Sequence, residues 1–496
     1  MSALVGDIAS PLVIPGNSGK TEIRLFVDKD TMPRDRSIER LQALSAIKGI
    51  FGHIVALPEV HYKSGFVCPT GTVIASRDYV MPGLIPIANN CGMRVFLTPL
   101  TSADMDEKAM DQLFGILRSK IFHGPNGTFK LKKHEAGEIL SSGCEWGIKR
   151  FGLDKNELLN IECRGNMFTG FNLSRKQILK NIPRASFKVA EMGFDYMGGG
   201  NHFIEMQEVS DVFDEQRAGQ LKIKKGQIVF MMHSDAGPVG GIIGQYFSAF
   251  KMSGRYFDRL ISVLVKSGYH LKRLRSLREA ASLPGAVFRR DPPPLIDANS
   301  PLGIRYISAS YAAANFGYLK RMYLTEVVRR ALREVFRDKD MACPLLYDLS
   351  HVLIQREDYD GQKIWVHRQG GCQAYPKEKM GWHPVYKHTG QPFPLPSSLA
   401  TPSYICVAES GAKDALYSSC HGTGNVTHAF KNDISEEDLL ARLKINRIKV
   451  YHMRKTSIVK HNPGKYKDAE RVLNALKAFN IASPVCKVKP LASLKE

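Results

Sequence analysis

A chain of 496 residues can bury at least one large hydrophobic core, and its 44% hydrophobic and 24% charged content excludes neither helices nor sheets but argues against long disorder and against a membrane protein. The net charge of +21 favours polyanionic partners, nucleic acid first, because counterion release and long-range attraction reward basic surfaces; a basic solvated surface without a particular partner is the plain alternative. The first seven residues, Met1-Ser-Ala-Leu-Val-Gly-Asp7, lack a basic stretch followed by an apolar one, and the nine scattered cysteines form no CxxC pair. Reduced thiols in a cytoplasmic setting, with no membrane, are therefore expected.

In chain order, Ile23-Arg-Leu-Phe-Val27 reads as a strand, and Leu41, Leu44 and Ile47 fall on one face of a helix. From Leu57 to Val95 short apolar runs are broken by Gly and Pro, as in Gly71-Thr-Val-Ile-Ala-Ser76, which predicts strands and tight loops of the kind that carry chemistry. Residues 269–300 are basic, with Lys272, Arg273, Arg275, Arg278, Arg289 and Arg290 ahead of Pro292-Pro293-Pro294, and extended, exposed backbone is expected at the prolines. Beyond them Leu324, Val327, Val328, Ala331, Leu332 and Val335 recur at helical spacing while Arg329, Arg330 and Arg333 take other positions, predicting a core-packed helix with a solvated basic face. Strands and helices do not alternate as βαβ units, so a doubly wound parallel sheet is not indicated.

Four segments set histidine beside small or turn-forming residues: Gly200-Asn-His-Phe-Ile-Glu205, Met232-His-Ser-Asp-Ala-Gly237, Leu349-Ser-His351 and Ser419-Cys-His-Gly-Thr-Gly424, while Asn90-Cys-Gly92 offers a thiol. Singly each is weak, since a histidine ending an apolar strand such as Ile228–Met232 is more often a hydrogen-bonded structural residue. Together, imidazoles and a thiolate are the donor set of borderline divalent metals such as Mn, Co, Ni and Zn. The spacings match neither a zinc finger nor an HExxH helix, so any such centre must be assembled from distant loops. Glycines on both sides of Thr423 allow close approach of backbone N–H groups to a phosphate, although an ordinary glycine turn accounts for them equally well. Cys420 and His421 compete there as nucleophiles.

These segments, with Pro58-Glu-Val-His-Tyr-Lys-Ser-Gly-Phe66, Tyr311-Ala-Ala-Ala-Asn315, Val366-His-Arg-Gln-Gly370, Tyr466-Lys-Asp468 and the terminal Pro490-Leu491 and Lys495, resemble in order the signatures of the RtcB RNA ligases, as a divergent member. The resemblance implies an α+β fold with mixed and antiparallel sheets around a central metal cleft, one catalytic domain over residues 1–496, and the 269–300 stretch as a basic insertion within it. It implies a centre of two metal ions, usually Mn²⁺, and a histidine that attacks the α-phosphate of GTP, placed at His421. The guanylate then passes to an RNA 3′-phosphate derived from a 2′,3′-cyclic end, and a 5′-hydroxyl displaces GMP, as in tRNA splicing or RNA repair. By the same resemblance Cys91 bridges the metals, His202 binds one, and His233 and His351 bind the other. Asn201 then touches the GTP phosphates, and Glu205, Ser398, Ser403, Tyr466 and Lys495 surround the nucleotide.

The pattern breaks at several places. Ala88 stands where the family has a metal-binding aspartate, which predicts a weakened second metal site unless Asn89, Asn90 or water substitutes. Asp235-Ala-Gly237 replaces a segment carrying arginine, Asn425 another arginine, Gln369 a lysine, Val352 an asparagine and Glu496 a glycine. Lost cations near anions favour a rival reading, a homologue that binds RNA or nucleotide without ligating, and leave a metal-dependent phosphoesterase as a third. Ala88→Asp is expected to tighten divalent-metal binding measured by calorimetric titration; unchanged affinity would mean that another ligand already fills the role.

Overall fold

A computed structural model of the chain describes residues 10–16, 21–87, 89–122, 129–249, 256–274, 276–289, 291–426, 434–453 and 458–495. Ala88, Arg275, Arg290, Glu496 and the side chain of Arg278, all singled out above, lie outside the described residues. In chain order the strands are β1 (Leu12–Ile14), β2 (Ile23–Leu25), β3 (Ile54–His61), β4 (Thr70–Ser76), β5 (Tyr79–Val80), β6 (Gly92–Thr101), β7 (Phe203–Val212), β8 (Gln227–Ser234) and β9 (Ile296–Asp297). There follow β10 (Leu345–Ser350), β11 (Val352–Tyr359), β12 (Gln362–Gln369), β13 (Gly371–Gln373), β14 (Pro392–Leu395), β15 (Ser403–Ala408), β16 (Ser418–Cys420), β17 (Lys449–His452) and β18 (Ala482–Lys495).

Two large sheets result. One runs β1-β2-β3-β4-β12-β11, the other β10-β6-β8-β7-β18-β15-β14 with β17 alongside β18. Pairing between these strands is antiparallel except for β2 with β3 and β17 with β18, in keeping with the mixed and antiparallel sheets expected. The period-two alternation of strands decides how the sheets stack. Val55 and Leu57 of β3 and Val73 and Ala75 of β4 share a buried cluster with Met93 and Val95 of β6 and Val229 and Met231 of β8, so these faces meet. The opposite faces of β6 and β8, through Phe96, Phe230 and Met232, pack with Tyr306, Ala313 and Phe316 of the long helix Pro301–Val335.

That helix starts where the sequence says a helix can start: Ser300 Oγ accepts the Gly303 N–H at 3.0 Å and Pro301 takes the first position. It is buried on nearly every side from Leu302 to Leu332. The expected solvated basic face holds for Arg330, which is exposed, and in part for the half-buried Arg333, but is corrected at Arg329, which is buried. Its guanidinium donates to Glu157 at 2.8 Å, to Glu326 at 2.6 Å and to the Cys343 carbonyl at 2.9 Å. Around the triple proline the expected backbone without helix or strand is found, with Pro292 exposed but Pro293 buried against Gly83, while a helix covers Leu277–Phe288 ahead of it. No helix among the described residues is long and apolar enough to cross a membrane.

Arg321, fully buried on the long helix, ties three strand ends together. Its Nε donates to Asp348 Oδ1 in β10 at 2.8 Å, and its Nη1 donates to the Asn90 and Ser234 carbonyls, before β6 and at the end of β8, at 2.8 and 3.0 Å. Arg94 completes the Asp348 carboxylate at 2.9 Å. Helix and turn approach so closely that a Cβ on Gly92 would sit 2.8 Å from the Arg321 guanidinium carbon, and one on Gly317 2.5 Å from Asn90 Oδ1. Arg321→Leu is expected to cost about 3–5 kcal/mol in a urea denaturation series, because it leaves Asp348 with Arg94 alone and strands two carbonyls. Arg321→Lys is expected to restore little, since an ammonium cannot span the three acceptors. A loss below about 0.5 kcal/mol, the range of an indifferent surface change, would contradict this assignment.

Candidate metal centre and histidine pocket

At one end of the stacked sheets the inward-facing positions change from apolar to ligand types. Glu59 continues the Val55–Leu57 face of β3, Cys91 precedes Met93 on β6, and His233 follows Met231 on β8. Register brings them together: His233 pairs with Met93 on one side and with Phe203, the neighbour of His202, on the other. His351 sits between β10 and β11, and its N–H donates to the Cys91 carbonyl at 2.8 Å.

Cys91 Sγ lies 3.0 Å from His233 Nε2 and 3.5 Å from His202 Nε2, and His233 Nε2 is 3.4 Å from His351 Nε2. Thiolate and imidazole donors around a tetrahedral ion at about 2.0–2.3 Å stand about 3.5 Å apart, so this spacing fits a shared cation. Cys91, His202 and His233 have donor atoms all within 4.8 Å of one another. The Nδ1 of His233 lies 3.2 Å from the Asn201 carbonyl, an outer contact that would leave Nε2 free to meet a cation. Burial holds the three imidazoles below the usual histidine range, furthest for His233 and His351, so they are neutral and ready to ligate. Burial also pushes the Cys91 thiol up, so the thiolate forms when a cation replaces its proton.

His421 follows β16 and stacks on His351 with ring centroids 3.8 Å apart. Its Nδ1 stands 2.7 Å from Glu59 Oε2, and its backbone N–H donates to Glu59 Oε1 at 3.1 Å. Nδ1 is thus turned toward a carboxylate oxygen, in close contact rather than an aligned hydrogen bond, and Nε2 is the ring's other nitrogen. Glu59 is itself held by Lys467, whose buried ammonium donates to the Pro58, Val60 and Thr31 carbonyls at 2.8, 3.0 and 2.9 Å; burial lowers its pKa to about 8. The two thiol and imidazole candidates at 420 and 421 separate here. Cys420 is fully buried, with its thiol pushed well up by burial, whereas His421 lines the pocket. The glycines separate too: a Cβ on Gly424 would lie 2.1 Å from the Glu59 carbonyl, while one on Gly422 meets nothing nearer than 3.7 Å. Gly424 therefore serves the fit against β3, and only Gly422 leaves room for a ligand.

The pocket is a cavity of about 210 Å³. Cys91, Asn201, His233, His351, Ser398, His421, Tyr466 and Lys495 line it, together with Lys63, which lies in the matched Pro58–Phe66 segment without an expected role. Three expected residues stand back from it. His202 belongs to the cluster behind; Ser403 Oγ accepts the Ser397 N–H at 3.0 Å and supports the lining loop; Glu205 accepts from Gln207 at 2.7 Å. Burial raises the Glu205 carboxyl, and the Lys495 ammonium beside it opposes that shift. Asp235, in the altered segment after His233, faces the buried Lys320 at 3.6 Å. Glu59 and Lys467 are the residues that sequence reasoning missed.

A family model described as tRNA-splicing ligase RtcB matches residues 40–496. Among curated proteins, the tRNA-splicing ligase RtcB of Thermococcus kodakarensis is 28% identical, over 95% of this chain and 94% of its own. That of Aeropyrum pernix is 27% identical over 94% and 92%, and that of Pyrobaculum aerophilum 25% over 96% and 95%. For the cluster, calorimetric titration with Mn²⁺ is expected to show binding at least about 10-fold weaker in Cys91→Ser and in His202→Ala. Wild-type affinity in both would mean that the ion binds elsewhere.

Proposed function

The chain belongs to the RtcB tRNA-splicing ligase family, and from that premise we propose that it is an RNA ligase, dependent on GTP and Mn²⁺, that joins a 3′-phosphate or 2′,3′-cyclic phosphate RNA end to a 5′-hydroxyl end. The observation that carries the reading is the His421–Glu59 pair, 2.7 Å apart beside the Cys91, His202 and His233 cluster. A carboxylate on Nδ1 keeps the proton there and the lone pair on Nε2, and it stabilises the imidazolium that develops as Nε2 attacks. Nε2 forms a bond to the α-phosphorus of GTP, the α–β anhydride breaks, and pyrophosphate leaves. An oxygen of the RNA 3′-phosphate then takes the guanylate from His421, and the 5′-hydroxyl of the second strand displaces GMP.

Other residues have roles in the same reading. Cys91, His202, His233 and His351 would hold the metal ions at the end of the stacked sheets. Bound there, divalent ions neutralise charge on the transferring phosphoryl group and orient its oxygens. Lys63 and Lys495, the lysines lining the pocket, attract the nucleotide's phosphates; Asn201 contacts them; Tyr466 offers a face for guanine, with Ser398 beside it. Glu205 acts by steadying Lys495, and Ser403 by supporting the loop of Ser397. A cytoplasmic role in tRNA splicing or RNA repair belongs to this reading.

Incubation with labelled GTP and Mn²⁺ is expected to give an acid-labile covalent guanylate that is absent in His421→Ala. Glu59→Gln is expected to slow its formation by roughly 10²–10⁴-fold, the range of a lost acid–base partner. Absence of label with Mn²⁺, Co²⁺, Ni²⁺ and Zn²⁺ alike would favour a protein that binds RNA or nucleotide without ligating.

A further inference from the structure

A second cavity, of about 560 Å³, shares no lining residue with the histidine pocket and has no part in the chemistry above. Its size falls in the range of small-molecule and nucleotide sites. Gln355 and Gln373 are buried in its lining, Phe171 and Tyr375 contribute aromatic rings, and Arg164 and Trp382 stand exposed at its edge. Three features set it apart from a packing defect.

The first is Trp382, which stays 47% exposed although the Arg164 guanidinium lies 5.2 Å from its ring centroid. An exposed indole beside a guanidinium is the composition of a stacking platform for nucleic-acid bases. The second is electrostatic. The one carboxylate in the lining, Glu357, is paired with Arg368 and receives the Tyr375 hydroxyl at 3.1 Å, while no carboxylate among the described residues pairs with Arg164. An anion entering here meets an uncompensated guanidinium. The third is backbone strain. Cys163 and Arg164 are adjacent non-glycine residues at φ 51° and 53°, in the left-handed region that costs roughly 1–2 kcal/mol per residue. That turn is what delivers Arg164 to Trp382, and Gln355 supports it with a contact to Cys163 Sγ at 3.3 Å. Strain of this kind is held in place by its surroundings, here at the cavity edge where Arg164 meets Trp382.

Gln355 lies on β11, four residues past His351, which is about 13 Å along an extended strand. The two cavities are therefore joined along one strand, at a separation that a few nucleotides can span. We propose that it is an accessory site for one nucleotide unit of single-stranded RNA, its base stacked on Trp382 and its phosphate paired with Arg164. The proposal rests on RNA as the substrate class. Stacking on an indole is indifferent to base identity, so the site tolerates sequence, and it lengthens the grip on a strand whose end lies at His421.

Binding of fluorescein-labelled hexauridylate, followed by anisotropy on the full chain, tests this. Trp382→Ala is expected to weaken binding roughly 5- to 150-fold, the range for loss of one base–aromatic stack, and Trp382→Phe to retain most of it. Arg164→Ala is expected to lower the slope of log affinity against log salt by about one. Both alanine variants are expected to keep wild-type guanylate labelling at His421. That labelling verifies folding and tests the ligase reading separately, since its loss in the wild type leaves the stacking result standing. Wild-type hexauridylate affinity and salt slope in Trp382→Ala and Arg164→Ala would overturn the proposal. So would saturable quenching of Trp382 fluorescence by AMP without any hexauridylate binding, which would assign the cavity to a free nucleotide.

Discussion

The site depends on one buried guanidinium. Arg321 sits on a helix that is itself core, and it spends its hydrogen bonds on the Asp348 carboxylate and on the carbonyls of Asn90 and Ser234. Those carbonyls immediately precede Cys91 and immediately follow His233, so the same contact that neutralises a buried acid also sets the separation of two metal-type donors. A buried ion pair of this kind adds little net stability over a hydrophobic pair, and its value here is positional. Gly92 and Gly317 are demanded for the same reason, because side chains at either place would push helix and turn apart.

Burial has two opposite consequences at the sandwich end. It lowers the affinity of His202, His233 and His351 for protons, which prepares them as neutral ligands, and it raises that of the Cys91 thiol, which withholds the thiolate until a cation arrives. His421 is treated differently by its surroundings. It stacks on His351 yet turns Nδ1 to Glu59, a carboxylate that Lys467 locks in place through the carbonyls on either side. In the proposed reading the division of labour is chemical: the buried imidazoles and the thiol would serve a cation, and the imidazole beside a carboxylate would serve a phosphorus atom.

The donors themselves were legible in the sequence because histidine and cysteine beside glycine and serine are conspicuous at strand ends. Their convergence was not, since it depends on strand register between residues more than a hundred positions apart, as in Met93 with His233. Glu59 carried a signal that went unread: an acid on the inward side of the apolar alternation Val55, Leu57, Glu59 must be buried, and a buried carboxylate needs a partner. Lys467 stands in the matched Tyr466–Asp468 segment, yet neither it nor Arg321 announced its role, because most of their partners are backbone carbonyls, which every residue has. Arg329 misled for a related reason. Helical periodicity assigned it to solvent, whereas Glu157, distant in sequence, brings a counter-charge that lets it be buried. The cavity edged by Trp382 was likewise invisible, since Arg164 meets Trp382 only through a left-handed turn that no local propensity favours.

The central claim is that Cys91 and the histidines at the sandwich end form one cation centre facing His421. X-ray absorption at the metal edge of the Co²⁺-loaded chain tests it most directly. The account predicts a sulfur scatterer at about 2.3 Å together with imidazole nitrogens at about 2.0–2.1 Å, the sulfur disappearing in Cys91→Ser. A coordination sphere of oxygen alone, unchanged by that substitution, would contradict it.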